Sequence, residues 1–339
     1  MTRYFTVSHS LPVLLFAASA LAALAIAAPV TRASAAPADG PLFIIVQGSP
    51  GEESYAEDFT RQAAVWQKTA TNHQARIRLI GQDPSAAEDD RTKLQATLAD
   101  EPKETTAPLW IILIGHGTFD RQVARFNLRG EDVSAEELAG WLEPFRRPIA
   151  VINTSSASAP FLAALSGEDR VIITATRSGN EQNATRFGTS LATTLVDPAT
   201  DLDQDGQVSL LEAFLSAASR VAEFYRTEGR LATEHALIDD NGDGLGTPAS
   251  WFRGLRATKK ARNAAALDGI RAHQWLLTPD PADTARPPEW RARRDTLEAA
   301  VIAIRDQKDS LPHEEYYRQL EAALLELARH YDSLKDGDS

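Results

Sequence analysis

The sequence predicts an α/β fold: an open, mostly parallel sheet with helices on both faces, followed by a C-terminal helical hairpin. Three observations carry this expectation. Short continuous apolar runs (Leu42–Gln47, Leu109–Ile114, Ile149–Ile152, Val171–Ala175) alternate with amphipathic stretches, as parallel strands buried on both faces do. Tight-turn residues follow two of the runs, Gly48-Ser49-Pro50-Gly51 and Gly115-His116-Gly117. Beyond a proline-rich break at Thr278-Pro279-Asp280-Pro281, apolar residues recur at 3–4 spacing.

Taken in order, Leu42–Gln47 is the first strand. An amphipathic helix follows from about Glu53 to Lys68, with Tyr55, Phe59, Ala63 and Trp66 on one face. Arg76–Ile80 alternates and reads as a strand nearer the sheet edge, and Arg91–Ala99 reads as a helix. Leu109–Ile114 is the third strand, and Gln122–Leu128 a short extended excursion. Ser134 caps a helix reaching Leu142, with Glu137 at the capping-box position. Ile149–Ile152 and Val171–Ala175 are the fourth and fifth strands. A long helix spans Ser209–Glu228, and Leu255–His273 reads as another helical stretch. The expected organisation is a signal peptide over 1–35, an α/β domain over 36–273, a proline-rich linker over 274–289, and a hairpin over 290–335 broken at Ser310-Leu311-Pro312.

Residues 1–35 have the features of an export signal: Arg3, an apolar Leu11–Ala28 stretch, and Ala33-Ser34-Ala35 before Ala36. Cleavage there implies a periplasmic or secreted protein. An uncut segment would instead serve as a membrane anchor. The net charge of −12 argues against nucleic acid and anionic membrane as partners of the mature chain and suits a cation ligand. With no cysteine, neither disulfides nor a thiol nucleophile are available.

His116 at the end of one buried strand and Ser155 at the end of the next would share the carboxyl edge of the sheet, where open α/β sheets carry their sites. Three stretches, Gly115-His116-Gly117-Thr118-Phe119-Asp120, Ile152-Asn153-Thr154-Ser155-Ser156-Ala157-Ser158 and Arg170-Val171-Ile172-Ile173-Thr174-Ala175-Thr176, resemble the caspase/legumain-type cysteine peptidases, above all their bacterial legumain-like members. The resemblance covers roughly residues 41 to 250 and implies a caspase-like sheet. It places His116 on the catalytic histidine, Ser155 on the cysteine, Asn153 on the acidic position, Ser158 on the glycine, and Gly117 N–H as oxyanion-hole donor. Three positions of the second motif thus depart from the family pattern. A thiol can be poised as thiolate by a nearby imidazole, whereas a hydroxyl needs a base bonded directly to it. The implied protein is a pseudo-peptidase that binds a peptide or protein partner. An active hydrolase using Ser155 and His116, and a calcium-stabilised scaffold, are the alternatives.

Asp201 to Glu212 matches an EF-hand calcium loop at each defining position: Asp201, Asp203 and Asp205, then Gly206, the Gln207 carbonyl, Ser209, and a bidentate Glu212. Asp239, Asn241 and Asp243 repeat its first half, but Ser250 stands where the closing Glu belongs, so a second metal site and a plain turn are both open. His235 has no partner at metal-ligand spacing. In the hairpin, Trp290, Leu297, Val301, Ile304 and Leu311, then Tyr317, Leu320, Leu324, Leu327, Tyr331 and Leu334, form stripes suited to packing or to docking a partner, and Glu314–Arg318 is an i,i+4 pair.

Overall fold

The computed structural model describes residues 40–83, 88–264, 266–278, 283, 285–308 and 310–333. The expected export signal lies outside the described residues, as do most of the proline-rich break and Leu334. Among the described residues no helix is long and apolar enough to cross a membrane.

Seven strands form one sheet: β1 (Leu42–Gln47), β2 (Arg76–Ile80), β3 (Leu109–Ile114), β4 (Ile149–Asn153), β5 (Arg170–Thr174), β6 (Leu237–Asp239) and β7 (Thr247–Pro248). Their spatial order is β7-β6-β5-β4-β3-β1-β2. The first five run parallel, while β6 and β7 are antiparallel additions at one edge. Arg76 and Arg78 lie on the edge strand β2, and Pro248 on the opposite edge strand β7.

Residue alternation within the strands sorts the core into two layers. Phe43, Ile45, Trp110, Ile112, Ile152 and Ile173 pack on one face with Trp66 of α1 (Glu53–Asn72), Leu191 of α5 (Phe187–Thr194) and Phe214 of α6 (Leu210–Thr227). Ile44, Val46, Ile111, Leu113, Val151 and Ile172 face Leu94 and Leu98 of α2 (Asp90–Asp100), Leu138 and Leu142 of α3 (Ala135–Leu142), and Phe161 and Leu165 of α4 (Ala159–Leu165). The predicted capping box at Ser134 and Glu137 starts α3, with both reciprocal hydrogen bonds formed.

Register brings the carboxyl ends level: Gln47 pairs with Ile114, Leu113 with Asn153, and Asn153 with Thr174. The loops after β1, β3, β4 and β5 therefore share one rim. The strand order reverses between β1 and β3, which makes their ends the topological switch point of the sheet.

The chain departs from expectation after α6. Leu255–His273 is not one helix. Phe252–Arg253 and Arg256–Ala257 pair as a small hairpin, and only α7 (Ile270–Gln274) is helical. Gly254 and Gly269 hold positive φ there, which interrupts a helix. Leu276–Thr278, within the span read as linker, is a strand antiparallel to Val208–Ser209. The hairpin helices are α8 (Pro288–Asp306) and α9 (His313–Asp332). Leu297, Val301 and Tyr316 are buried, whereas Tyr317, Leu324 and Tyr331 of the predicted stripe are exposed. Arg318 pairs with Glu315 rather than with Glu314.

Candidate functional site

His116 follows β3 at the switch point. Its Nε2 donates to the carbonyl of Pro50, in the loop after β1, at 3.2 Å. Tyr55 and Phe59 of α1 meet the imidazole edge-on, at centroid distances of 4.6 and 5.2 Å. The flanking glycines are needed for close approach. A Cβ on Gly115 would lie 3.2 Å from Gly48 Cα, and one on Gly117 would meet the Ser156 carbonyl and come within 2.9 Å of Ser155 Oγ. Gly117 thus sits against the turn after β4, and His116 reaches toward the loop after β1.

That turn is rich in hydroxyls, each assigned to a backbone or amide partner. The Thr154 hydroxyl donates to the Leu113 carbonyl at 2.9 Å. Ser155 is fully buried, and its hydroxyl donates to Asn153 Oδ1 at 2.7 Å, an oxygen that also accepts the Ser155 N–H at 3.0 Å. Ser156 Oγ accepts the N–H of Gly117 at 3.1 Å and donates to the Gly117 carbonyl at 3.0 Å. Ser158 Oγ accepts the N–H groups of Ala175 and Thr176. Ala157 holds a φ of 51°, with its N–H on the Glu181 carbonyl at 2.8 Å.

The structure therefore brings His116, Gly117 and Ser155 to one rim. Among the described residues no hydrogen bond joins His116 to Ser155; the imidazole bonds Pro50 and the hydroxyl bonds an amide oxygen. An amide oxygen is no general base, so Ser155 has no activating partner in this arrangement. The N–H assigned to the oxyanion hole is already engaged by Ser156.

The Asp201–Glu212 loop gathers the carboxylates of Asp201, Asp203 and Asp205 with oxygens within 4.8 Å of one another. Gln204 and Gly206 hold φ of 61° and 87°, turning the chain inward, and Asp201 Oδ2 accepts the Gly206 N–H at 3.0 Å. Asp205 Oδ1 accepts the Gln207 N–H at 2.8 Å. Val208–Ser209 leaves as a strand, and Glu212, 2% exposed, closes the loop. Its Oε1 accepts the N–H of Leu202 at 2.8 Å, and its Oε2 accepts both the N–H and the hydroxyl of Ser209 at 2.8 Å.

The second acidic loop repeats this plan. Gly242 and Gly244 hold φ of 80° and 73°, at the places of Gln204 and Gly206. Asp239 accepts the N–H groups of Gly242 and Gly244, and Asn241 that of Asp243. Ser250 takes no part in this network. The place of the closing carboxylate is held by Asp268, which sequence reasoning missed. Its Oδ1 accepts the N–H groups of Asp240 (3.0 Å) and Asn241 (3.3 Å), and its Oδ2 accepts the Thr247 hydroxyl at 2.6 Å. These are the counterparts of Leu202, Asp203 and Ser209 around Glu212. Asp268 is 3% exposed, and burial pushes its carboxyl up to about 8, helped by the charges of Asp240 and Asp239. No contact ion pair reaches Asp239, Asp240 or Asp268 among the described residues; Asp240 accepts the N–H groups of Gly269 and Ala272 around α7 and feels the charge of Arg271, whose guanidinium pairs with Asp169.

His235 stands apart from this loop. Its Nδ1 lies 2.6 Å from Glu181 Oε1, a carboxylate that also accepts the Arg177 N–H.

No protein-family profile matches the chain, and no curated protein matches it. Among solved structures it is similar to the Drosophila initiator caspase Dronc, at 12% identity over 62% of this chain and 81% of that one, with a TM-score of 0.36. It is similar to caspase-1 from Spodoptera frugiperda at 10% identity over 60% of this chain and 86% of that one, with a TM-score of 0.37. Protein GSU0716 from Geobacter sulfurreducens gives 11% identity, 60% and 96% coverage, and a TM-score of 0.41. Likeness at this level transfers no site residue or activity to the chain.

Proposed function

We propose that the chain is an exported, calcium-stabilised legumain/caspase-like pseudo-peptidase that binds a peptide or protein partner at the rim formed after β1, β3 and β4. The observation carrying this reading is the engagement of the Ser155 hydroxyl by Asn153 and of the Gly117 N–H by Ser156. Both groups that acyl transfer would require are already bonded within the fold. Support for a partner comes from the position of His116, half-buried at the switch point between aromatic neighbours, where open α/β sheets take ligands. The C-terminal hairpin, with Tyr317 and Leu324 exposed, would offer a second contact surface.

Calcium would be held by Asp201, Asp203, Asp205, the Gln207 carbonyl, Ser209 and Glu212, and in the second loop by Asp239, Asn241, Asp243 and Asp268. Glu212 and Asp268 would exchange their backbone partners for the cation. Three neighbouring carboxylates repel one another without a cation, so the metal would act by stabilising the fold.

The test is a diverse peptide library offered to the purified protein with and without calcium. Binding without cleavage, weakened by Tyr55→Ala and His116→Ala at the rim, is the expected result. Cleavage abolished by Ser155→Ala would replace this reading with that of an active hydrolase.

A further inference from the structure

A cavity of about 240 Å³ lies where α8 meets the body of the fold. Leu255, Leu267, Ile270 and Ile302 supply its apolar lining. The charged groups around it are unevenly matched. Asp306 is paired with Arg256 at 2.6 Å, and the oxygens of Asp268 are engaged by Thr247 and two backbone N–H groups. Arg253 and Arg305 also line the cavity, and among the described residues neither has a carboxylate partner. The carbonyl end of α8 would repel an anion, but Arg256 covers it by donating to the Arg305 carbonyl.

In a chain of net charge −12, the three guanidiniums of Arg253, Arg256 and Arg305 outnumber the carboxyls of Asp268 and Asp306 around the cavity, and the exposed Arg253 and Arg305 give its mouth a preference for negative charge. Ligand sites combine an apolar lining with a few convergent polar groups, and those for drug-sized ligands span roughly 300–1,000 Å³, so this cavity suits something smaller. We propose that it binds a small apolar monocarboxylate, with the hydrocarbon part against Leu255, Leu267, Ile270 and Ile302 and the carboxylate taken by Arg253 and Arg305. A guanidinium fork matches a carboxylate in shape as well as charge, which a neutral group of the same length cannot exploit. This site is independent of the rim and needs no catalysis.

Hexanoate and hexanol are the probes, titrated against the full chain by NMR. Hexanoate should bind saturably at one site, and hexanol about tenfold or more weakly, the difference expected for a charge-assisted hydrogen bond. Arg305→Gln should weaken hexanoate by about tenfold and leave hexanol unchanged. Ile302→Trp, which fills the cavity, should abolish both. Hexanol binding as tightly as hexanoate, or no saturable hexanoate binding to the unaltered chain, would overturn the proposal without reference to any variant.

Discussion

Replacing Asp268 by Asn tests whether the second acidic loop holds a cation. The wild-type carboxylate accepts two backbone N–H groups and the Thr247 hydroxyl, and it is buried without an ion-pair partner. Asparagine keeps the volume and one accepting oxygen but removes the charge and the bidentate ligand. Without calcium, Asp268→Asn should therefore raise the melting temperature, because burial without an ion-pair partner disfavours the ionised form that this carboxyl takes when unfolded. With calcium the carboxylate becomes a ligand and its removal loses the stabilisation of the second site. Calcium modules of exported proteins have Kd values of about 10⁻⁴ to 10⁻³ M, so ~10 mM calcium is roughly 10 to 100 times Kd. Each occupied site then stabilises by about 1.4 to 2.7 kcal/mol. The ~300 residues that follow the expected signal would unfold with an entropy of ~0.6 kcal/mol/K, so each site should raise Tm by about 2 to 4 °C. Wild type should gain both increments on addition of calcium, and Asp268→Asn only that of the first loop. Scanning calorimetry in EGTA and in calcium measures all four values. A variant whose calcium-dependent gain equals the wild-type gain would refute the assignment of Asp268, and Glu212→Gln tests the first loop in the same way.

Three further outcomes follow from the rim and the core. Ser155→Cys should show no proteolysis, since the side chain is buried and the Gly117 N–H is engaged; peptide cleavage by this variant would show that the turn opens to substrate. Gly117→Ala should lower unfolding free energy by about 2 kcal/mol or more in urea titrations, because its methyl meets the Ser156 carbonyl and Ser155 Oγ; an unchanged midpoint would contradict the packing described. Burial lowers the pKa of His73, whose imidazole bonds the Leu277 carbonyl, so the folded state favours its neutral form. Its contribution is present above the reference value of 6.5 and lost as pH falls below it, and His73→Gln should flatten that part of a Tm–pH profile.

Much of the sheet was legible because its strands are continuous apolar runs of strand length, and each such run forms a strand close to its expected bounds. The capping box at Ser134 was readable for a similar reason: its partner Glu137 lies three residues away. What the sequence hid depends on distant partners. Asp268 completes a loop that begins at Asp239, and nothing in the intervening residues marks it; the one available signal was a half-loop with Thr247 at the Ser209 position and no closing acid nearby. Leu276–Thr278 becomes a strand only because Val208–Ser209 offers it an edge. The Leu255–His273 stretch carries enough apolar residues to suggest a helix, yet Gly269 within it takes positive φ and it closes a cavity instead. At the rim, sequence placed His116 and Ser155 on neighbouring strand ends. That Pro50 takes the imidazole and Asn153 the hydroxyl is a matter of side-chain geometry that strand order does not determine.

The two outer strands of the sheet bear on how a peptide could be held. Many folds capture extended ligands by letting them extend a sheet sideways through main-chain hydrogen bonds. Here β7 ends at Pro248, which has no N–H to offer, and β2 carries Arg76 and Arg78 along its short length. Both borders discourage such lateral zipping, whether by a ligand or by another copy of the chain, and leave side-chain recognition as the means by which a guest would be chosen.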